Sequence, residues 1–306
     1  MSAVIFEILL VNLVFLAVML VSGNNLSACV GPAVGARIIS KRNGALLGAA
    51  GFSAGLLVQG WGMSNSINRL VPNMTVQLQA EVLVVSIVIF VIADLTRLPL
   101  SFSMSLVGLL GGFGLAKGST SQIPYILGVV ATWFAAPIAA GVTAYFLLRY
   151  INSRKVSNIY RRIRFYKTLL LVLAFTVAYT LGANTLGLIV ATGSFNLATV
   201  LAALVAIFIG ALLLGEGTIR RVGEEFYLMR YSNATITLAI SAVLVEAASL
   251  LNIPLSNTQA TAGAVLGTGL SYKSKFLSLK PFLTIVIGWI VAPVLSFAIG
   301  YLLFPA

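Results

Sequence analysis

Four hydroxyl side chains stand in pairs just inside two proline-led segments: Ser101 and Ser103 follow Pro99, and Ser256 and Thr258 follow Pro254. Proline suits the first turn of a helix, where its missing N–H costs nothing. A helix that starts in apolar surroundings presents unpaired N–H groups and the positive end of its dipole. Hydroxyls beside such a start make a site for an anion. Asn24 and Asn25 interrupt one apolar run, and Asn184 and Thr185 interrupt another. Their amide and hydroxyl oxygens, with carbonyls freed where a helix breaks, are neutral ligands for Na+. Glu246 lies well inside a third apolar run with no basic residue nearby in sequence. An ionised carboxylate in the middle of a bilayer costs about 2.5–3.5 kcal/mol or more, so Glu246 is protonated, paired across helices or bound to a cation. The first case makes it a proton carrier. The other acids, Glu7, Glu81, Asp94, Glu216, Glu224 and Glu225, sit in loops or near the ends of apolar runs.

Composition says what must position these groups. Of 306 residues 59% are apolar and 8% charged, against roughly 25% charged in a soluble domain. The apolar runs are about 17–25 residues long, enough to span a bilayer. They fall near 3–36 (interrupted), 44–60, 79–96, 98–116 and 124–148, then 168–191, 198–216, 233–252, 253–270 and 281–303. The first run lacks the basic start of a signal peptide and reads as a retained span. The fold class is therefore an all-α polytopic membrane protein, multi-pass in the cell membrane. The net charge of +12 sits in the loops, which points to positive-inside topology and anionic lipid rather than to nucleic acid. One cysteine, Cys29, excludes an internal disulfide. A chain with no histidine and a single Asp lacks the nucleophile or the Mg2+ ligands of membrane phosphatases and prenyl transferases. An enzyme is therefore not expected, nor a cofactor beyond a coupling ion.

The chain repeats itself. LPLSFSMSLVGLLGGFGL (98–115) matches IPLSNTQATAGAVLGTGL (253–270) without a gap, and WFAAPIAAGVTAYFLL (133–148) matches WIVAPVLSFAIGYLL (289–303) with one deletion. SGNN (22–25) stands where GANT (182–185) stands in the second copy. Gly108 and Gly112, like Gly263 and Gly267, have the spacing of helix packing in membranes. Five crossings per copy is an odd number, so the second copy is inverted. With 149–167 in the cytoplasm, the inside loops hold 17 of the 19 Lys and Arg residues, as the positive-inside rule requires. The expected organisation is a first repeat over 1–148, a basic linker over 149–167 and an inverted repeat over 168–306, each repeat carrying discontinuous helices. Transporters built this way bind substrate where the repeats meet.

SGNNLSACVGPAVGAR (22–37) and GANTLGL (182–188) resemble the GANDVANA-type signatures of the inorganic phosphate transporter family. PLSFSM (99–104) and PLSNTQ (254–259) are similar to its Pro-x-Ser-Thr-Thr-His element. The resemblance covers nearly the whole chain. It implies a cation-coupled phosphate symporter, a homodimer, and a substrate site formed by these elements, so that Asn257 and Gln259 join Ser101, Ser103, Ser256 and Thr258. Asn25 and Thr185 stand where the signatures carry Asp, and Met104 and Gln259 where the elements carry His. Both Na+ and H+ stay open as coupling ion, and sulfate stays open beside phosphate. A passive anion channel is the other reading of the same architecture.

Overall fold

The computed structural model describes residues 2–95, 101–118, 120–153, 159–215, 231–271 and 280–303. Among these residues every regular element is a helix. The first half contains α1 (Ser2–Gly35), α2 (Lys41–Val58), α3 (Met63–Leu70), α4 (Val76–Leu95), α5 (Phe102–Ala116) and α6 (Ile123–Ser153). The second contains α7 (Ile159–Leu181), α8 (Gly187–Thr192), α9 (Leu197–Ile209), α10 (Tyr231–Leu250), α11 (Asn257–Leu270) and α12 (Lys280–Leu303). Among the described residues seven helical stretches are long and apolar enough to cross a bilayer, and an eighth joins them if Lys41–Val58 and Gly60–Leu70, bent by 54°, form one span. Their outer faces are apolar too: Phe134, Ile138, Val142 and Phe146 form an exposed stripe along α6.

Two expected spans, 98–116 and 253–270, are shorter helices than a crossing needs. α5 has 15 residues and α11 has 14, or about 22 and 21 Å against the roughly 30 Å of hydrocarbon. Residues 253–256 reach α11 without helical structure. Pro99 and Arg97, like Glu216, Glu224 and Glu225, lie outside the described residues.

The interruption expected at 22–32 is absent. α1 runs unbroken through Gly23, Asn24 and Asn25, and carries Pro32 in its last turn. Helix propensity is a weak term, about 1 kcal/mol for a glycine, and packing overrides it. Gly23 is seated against Leu214 and the Gly210 carbonyl, where a Cβ would come within 2.6 Å of the leucine side chain. In the second copy the discontinuity is mild, a π-helical turn over Gly182–Leu186 that joins α7 to α8. The basic segment 149–167 is helical at both ends, because α6 continues to Ser153 and α7 begins at Ile159.

Each half packs on the other through glycines. Gly51 and Gly55 of α2 seat against Ala178 and the Tyr179 carbonyl of α7, while Gly210, just after α9, seats against Met19 and Ser22 of α1. Gly108 and Gly112 of α5 meet Pro293 and Phe297 of α12, and their counterparts Gly263 and Gly267 of α11 meet Pro137 and Gly141 of α6. A Cβ on Gly108 would lie 2.6 Å from the Pro293 carbonyl oxygen. Backbones this close are how helices associate where lipid gives no hydrophobic drive. Along every pair the contacting numbers rise together, so the partners run in the same direction.

Candidate functional site

The second Pro-Leu-Ser element begins where α10 is made to stop. Asn252 takes φ 55°, and the Ile253 N–H donates to the Ala248 carbonyl at 2.8 Å while the Asn252 N–H donates to that of Ser249 at 3.0 Å. This is a Schellman turn, with a proline two residues later that cannot resume the helix. The chain then runs to Ser256 through backbone groups that no helix satisfies. Asn184 satisfies two of them. Its Oδ1 accepts the Leu255 N–H at 3.0 Å and its Nδ2 donates to the Ile253 carbonyl at 2.9 Å. The same Nδ2 donates to Ser249 Oγ at 3.1 Å. Trp133 of α6 takes the residue between, its Nε1 donating to the Pro254 carbonyl at 2.8 Å. Asn184 sits in the π-helical turn, a local widening that is often functional.

Ser256 and Ser101 are the N-caps of α11 and α5, with closely similar extended backbones at φ −77°, ψ 123° and φ −95°, ψ 123°. Neither hydroxyl caps its own helix. Ser256 Oγ pairs instead with Thr258 Oγ1 at 2.7 Å, and Ser101 Oγ with Ser103 Oγ at 3.0 Å. Among the described residues no side chain takes the first-turn N–H groups that an N-cap would satisfy; at α11 the Gln259 N–H turns to the Ser256 carbonyl at 3.1 Å, and the earlier ones are left to another acceptor. Each helix start thus offers paired hydroxyls, backbone donors and a positive dipole end, the set that holds an oxyanion. No hydrogen bond among the described residues joins one hydroxyl pair to the other.

The remaining residues singled out from the sequence are placed less uniformly. Asn257 Oδ1 accepts from Ser241 Oγ at 2.6 Å, and its Nδ2 reaches Cys29 Sγ at 3.9 Å. Gln259 Nε2 donates to the Trp133 carbonyl at 3.2 Å. That carbonyl lost its helical donor because Pro137, four residues on, has no N–H. Both amides are thus committed to neighbouring helices, and Gln259 Oε1 is buried without a partner among the described residues. Asn24 and Asn25 are half-buried on α1, whereas Thr185 is buried in the π-helical turn. α1 touches that turn and α11, so the asparagines and Thr185 belong to adjoining elements. Glu246 is half-buried on α10.

An apolar cavity of about 820 Å3 lies between α5, α6, α11 and α12, with Met104, Trp133, Gln259 and Trp289 in its lining. So apolar a wall cannot offset the desolvation of an oxyanion. Met104 and Gln259 mark where the two elements meet this cavity. Trp133 and Ser249 were not anticipated from sequence as site residues. The available signal was the Trp-x-x-x-Pro spacing in both copies, which leaves a tryptophan carbonyl in need of a donor.

Comparison with known proteins gives the family. The model of the phosphate transporter family matches residues 21–165 and 152–300. MJ0630 of Methanocaldococcus jannaschii, by name a candidate phosphate permease, is 26% identical over 295 residues, 94% of each chain. The sulfate permease CysP of Bacillus subtilis is 27% identical over 296 residues, covering 92% of this chain and 83% of its own. A solved structure of the sodium-dependent phosphate transporter shares the fold, with a TM-score of 0.85 over 97% of this chain and 98% of the other at 18% identity. Span-length apolar helices and a family match over nearly the whole length lead to one conclusion: the chain is a multi-pass membrane protein that belongs to the phosphate transporter family.

Proposed function

We propose that this protein imports inorganic phosphate across the cell membrane by symport with a monovalent cation, Na+ or H+, through alternating access of two inverted halves. The observation that carries the reading is the pair of matched helix starts, Ser101 with Ser103 and Ser256 with Thr258, whose hydroxyls pair instead of capping. Inversion is supported by the crossed packing. α5 runs with α12 and α6 with α11, while α6 runs opposite to α5, since Gly111 lies near Ile126 and Gly114 near Gln122. The two copies of the same helix, α5 and α11, therefore run oppositely. The halves are 1–148 and 168–306, joined by the basic 149–167 segment.

In this reading Ser101, Ser103, Ser256, Thr258 and the adjoining N–H groups hold the anion. Asn257, Gln259 and Asn184 shape the second helix start, and Asn24, Asn25, Asn184 and Thr185 supply oxygens for a cation. Each helix start contributes about half an elementary charge, so two leave a dianion well short of neutral. Burying the remainder is expensive, and a co-bound cation removes the deficit. The name of the structural relative, a sodium-dependent phosphate transporter, favours Na+. The similarity to a sulfate permease supports sulfate as a second substrate reading. Uptake of radiolabelled phosphate and sulfate into proteoliposomes, under imposed Na+ or H+ gradients, tests all of this. Saturable phosphate uptake driven by one gradient is expected. Uptake that does not saturate and ignores both gradients would return the chain to a passive channel.

A further inference from the structure

Glu246 is set apart from the anion elements but linked to them. It lies one turn before Ser249, on the face of α10 that turns toward α7, since residues three apart share a helix face. Ser249 receives the hydrogen bond from Asn184 that helps hold the second Pro-Leu-Ser element. One Glu246 oxygen, Oε2, is buried with no hydrogen-bond partner among the described residues. Tyr179 of α7 is near enough for the carboxylate to act on its phenol electrostatically. The Tyr179 O–H donates to Gln59 Oε1 at 3.2 Å, and Gln59 Nε2 is likewise buried and unpartnered. Gly55 fixes this level of the structure, because it brings the α2 backbone onto the Tyr179 carbonyl. The buried, unpartnered Glu246 oxygen thus lies on α10 within electrostatic reach of a phenol–amide pair that α7 and the end of α2 contribute near the middle of the apolar stretch 168–192.

Among the described residues the other helices packed against α10 bring no second charge to this point. Tyr125 of α6 is bonded to the Asn252 carbonyl, and Tyr145 and Arg149 sit together toward the far end of α6. Cys29 of α1 is bonded to Asn25 and Asn257, and Glu7 is exposed near the start of α1. α11 carries no ionisable side chain. The first copy has Val91 at the position of Glu246, so the acid occurs once per chain and not once per repeat.

We infer that Glu246, beside the Tyr179–Gln59 pair, is a further monovalent-cation site, separate from the oxygens of Asn24, Asn25 and Thr185, and carries positive charge moved with the anion. Either a proton adds to the Glu246 carboxylate on one side of the membrane and leaves on the other, or Na+ is held by that carboxylate. Both neutralise a carboxylate that is costly to leave bare in the membrane. The inference rests on the symport reading above and names where its charge is carried.

The test uses the full chain in proteoliposomes, with radiolabelled phosphate and sulfate. Wild-type protein is first driven by an inward Na+ gradient at equal pH, then by an inward proton gradient without Na+. The gradient that drives accumulation identifies the ion, and accumulation under neither defeats the symport reading itself. Glu246→Gln is then compared in two assays, gradient-driven accumulation and exchange of labelled for unlabelled anion without a gradient. Accumulation should fall about tenfold further than exchange, since only net transport must move the charge. Glu246→Asp, which keeps the charge, should restore most of the accumulation. Wild-type accumulation in Glu246→Gln overturns the inference and leaves symport standing. Equal loss of both activities in Glu246→Gln protein that stays monodisperse also overturns it, because the residue then serves anion passage rather than coupling.

Discussion

α5 and α11 are two copies of one helix in two different settings. Both start at an uncapped serine, and both lay a pair of glycines against a proline-bearing helix of the opposite half. Around that shared frame the first copy is apolar where the second is polar. Phe102, Met104 and Leu106 stand where Asn257, Gln259 and Thr261 stand. In the second copy Ser241 bonds to Asn257 and Thr261, and Gln259 satisfies the carbonyl that Pro137 frees. In the first copy Ser86, the counterpart of Ser241, is buried without a partner among the described residues. The packing surfaces and the hydroxyl pairs are alike in the two segments, while the polar network is present in one. The packing cannot drift, because any side chain on those glycines strikes backbone. The network can, because an apolar residue of similar size fills the same space.

The largest effect should come from the shared frame. A Cβ on Gly112 or Gly267 meets the carbonyl of Phe297 or Gly141, and neither backbone can withdraw without separating the halves. Gly112→Val and Gly267→Val should each cost upward of about 3 kcal/mol, seen as loss of the monodisperse peak in size-exclusion chromatography. Failure of only one variant would break the equivalence of the copies.

Next is Asn184. Asn184→Ala leaves the Leu255 N–H and the Ile253 carbonyl without their bonds, at about 1–3 kcal/mol each. Asn24→Ala, on the unbroken and half-buried stretch of α1, should lower thermal stability by no more than about 1 kcal/mol. Equal shifts in the two melting temperatures would show that the π-helical turn confers no special role.

Anion affinity should respond at both starts. A lost hydrogen bond to a charged ligand costs about 1.5–3 kcal/mol, so Ser256→Ala and Ser101→Ala should each weaken apparent phosphate affinity about ten- to a hundredfold. Unchanged affinity in both would discard the site, and a change in one alone would make the anion the property of a single half. The smallest contrast is Ser241→Ala against Ser86→Ala. The first removes two hydrogen bonds and should destabilise by about 1–2 kcal/mol, whereas the second should stay within about 0.5 kcal/mol, measured by thermal unfolding in detergent.

Much of this molecule could be read without coordinates because the bilayer simplifies the problem. Apolar runs of spanning length, basic loops, Pro99 and Pro254 before hydroxyls, and glycines at fixed offsets are local signals, and each has one physical meaning in lipid. From them the sequence determined the helical membrane class, the duplication, the helix starts near Ser101 and Ser256 and the family. Partnership was not local, and only the tertiary structure decided it. Gly23, Asn24 and Asn25 suggested a break, yet α1 stays continuous because α9 and the turn after it cover the glycine. That Asn184 would also hold the backbone before α11 was decided by the fold. Gln259 read as a substrate contact, and a proline four residues beyond Trp133, on another helix, claimed its N–H group. A polar side chain in a membrane must find a partner, but its own sequence does not say which helix will bring one. That depends on how the two halves cross.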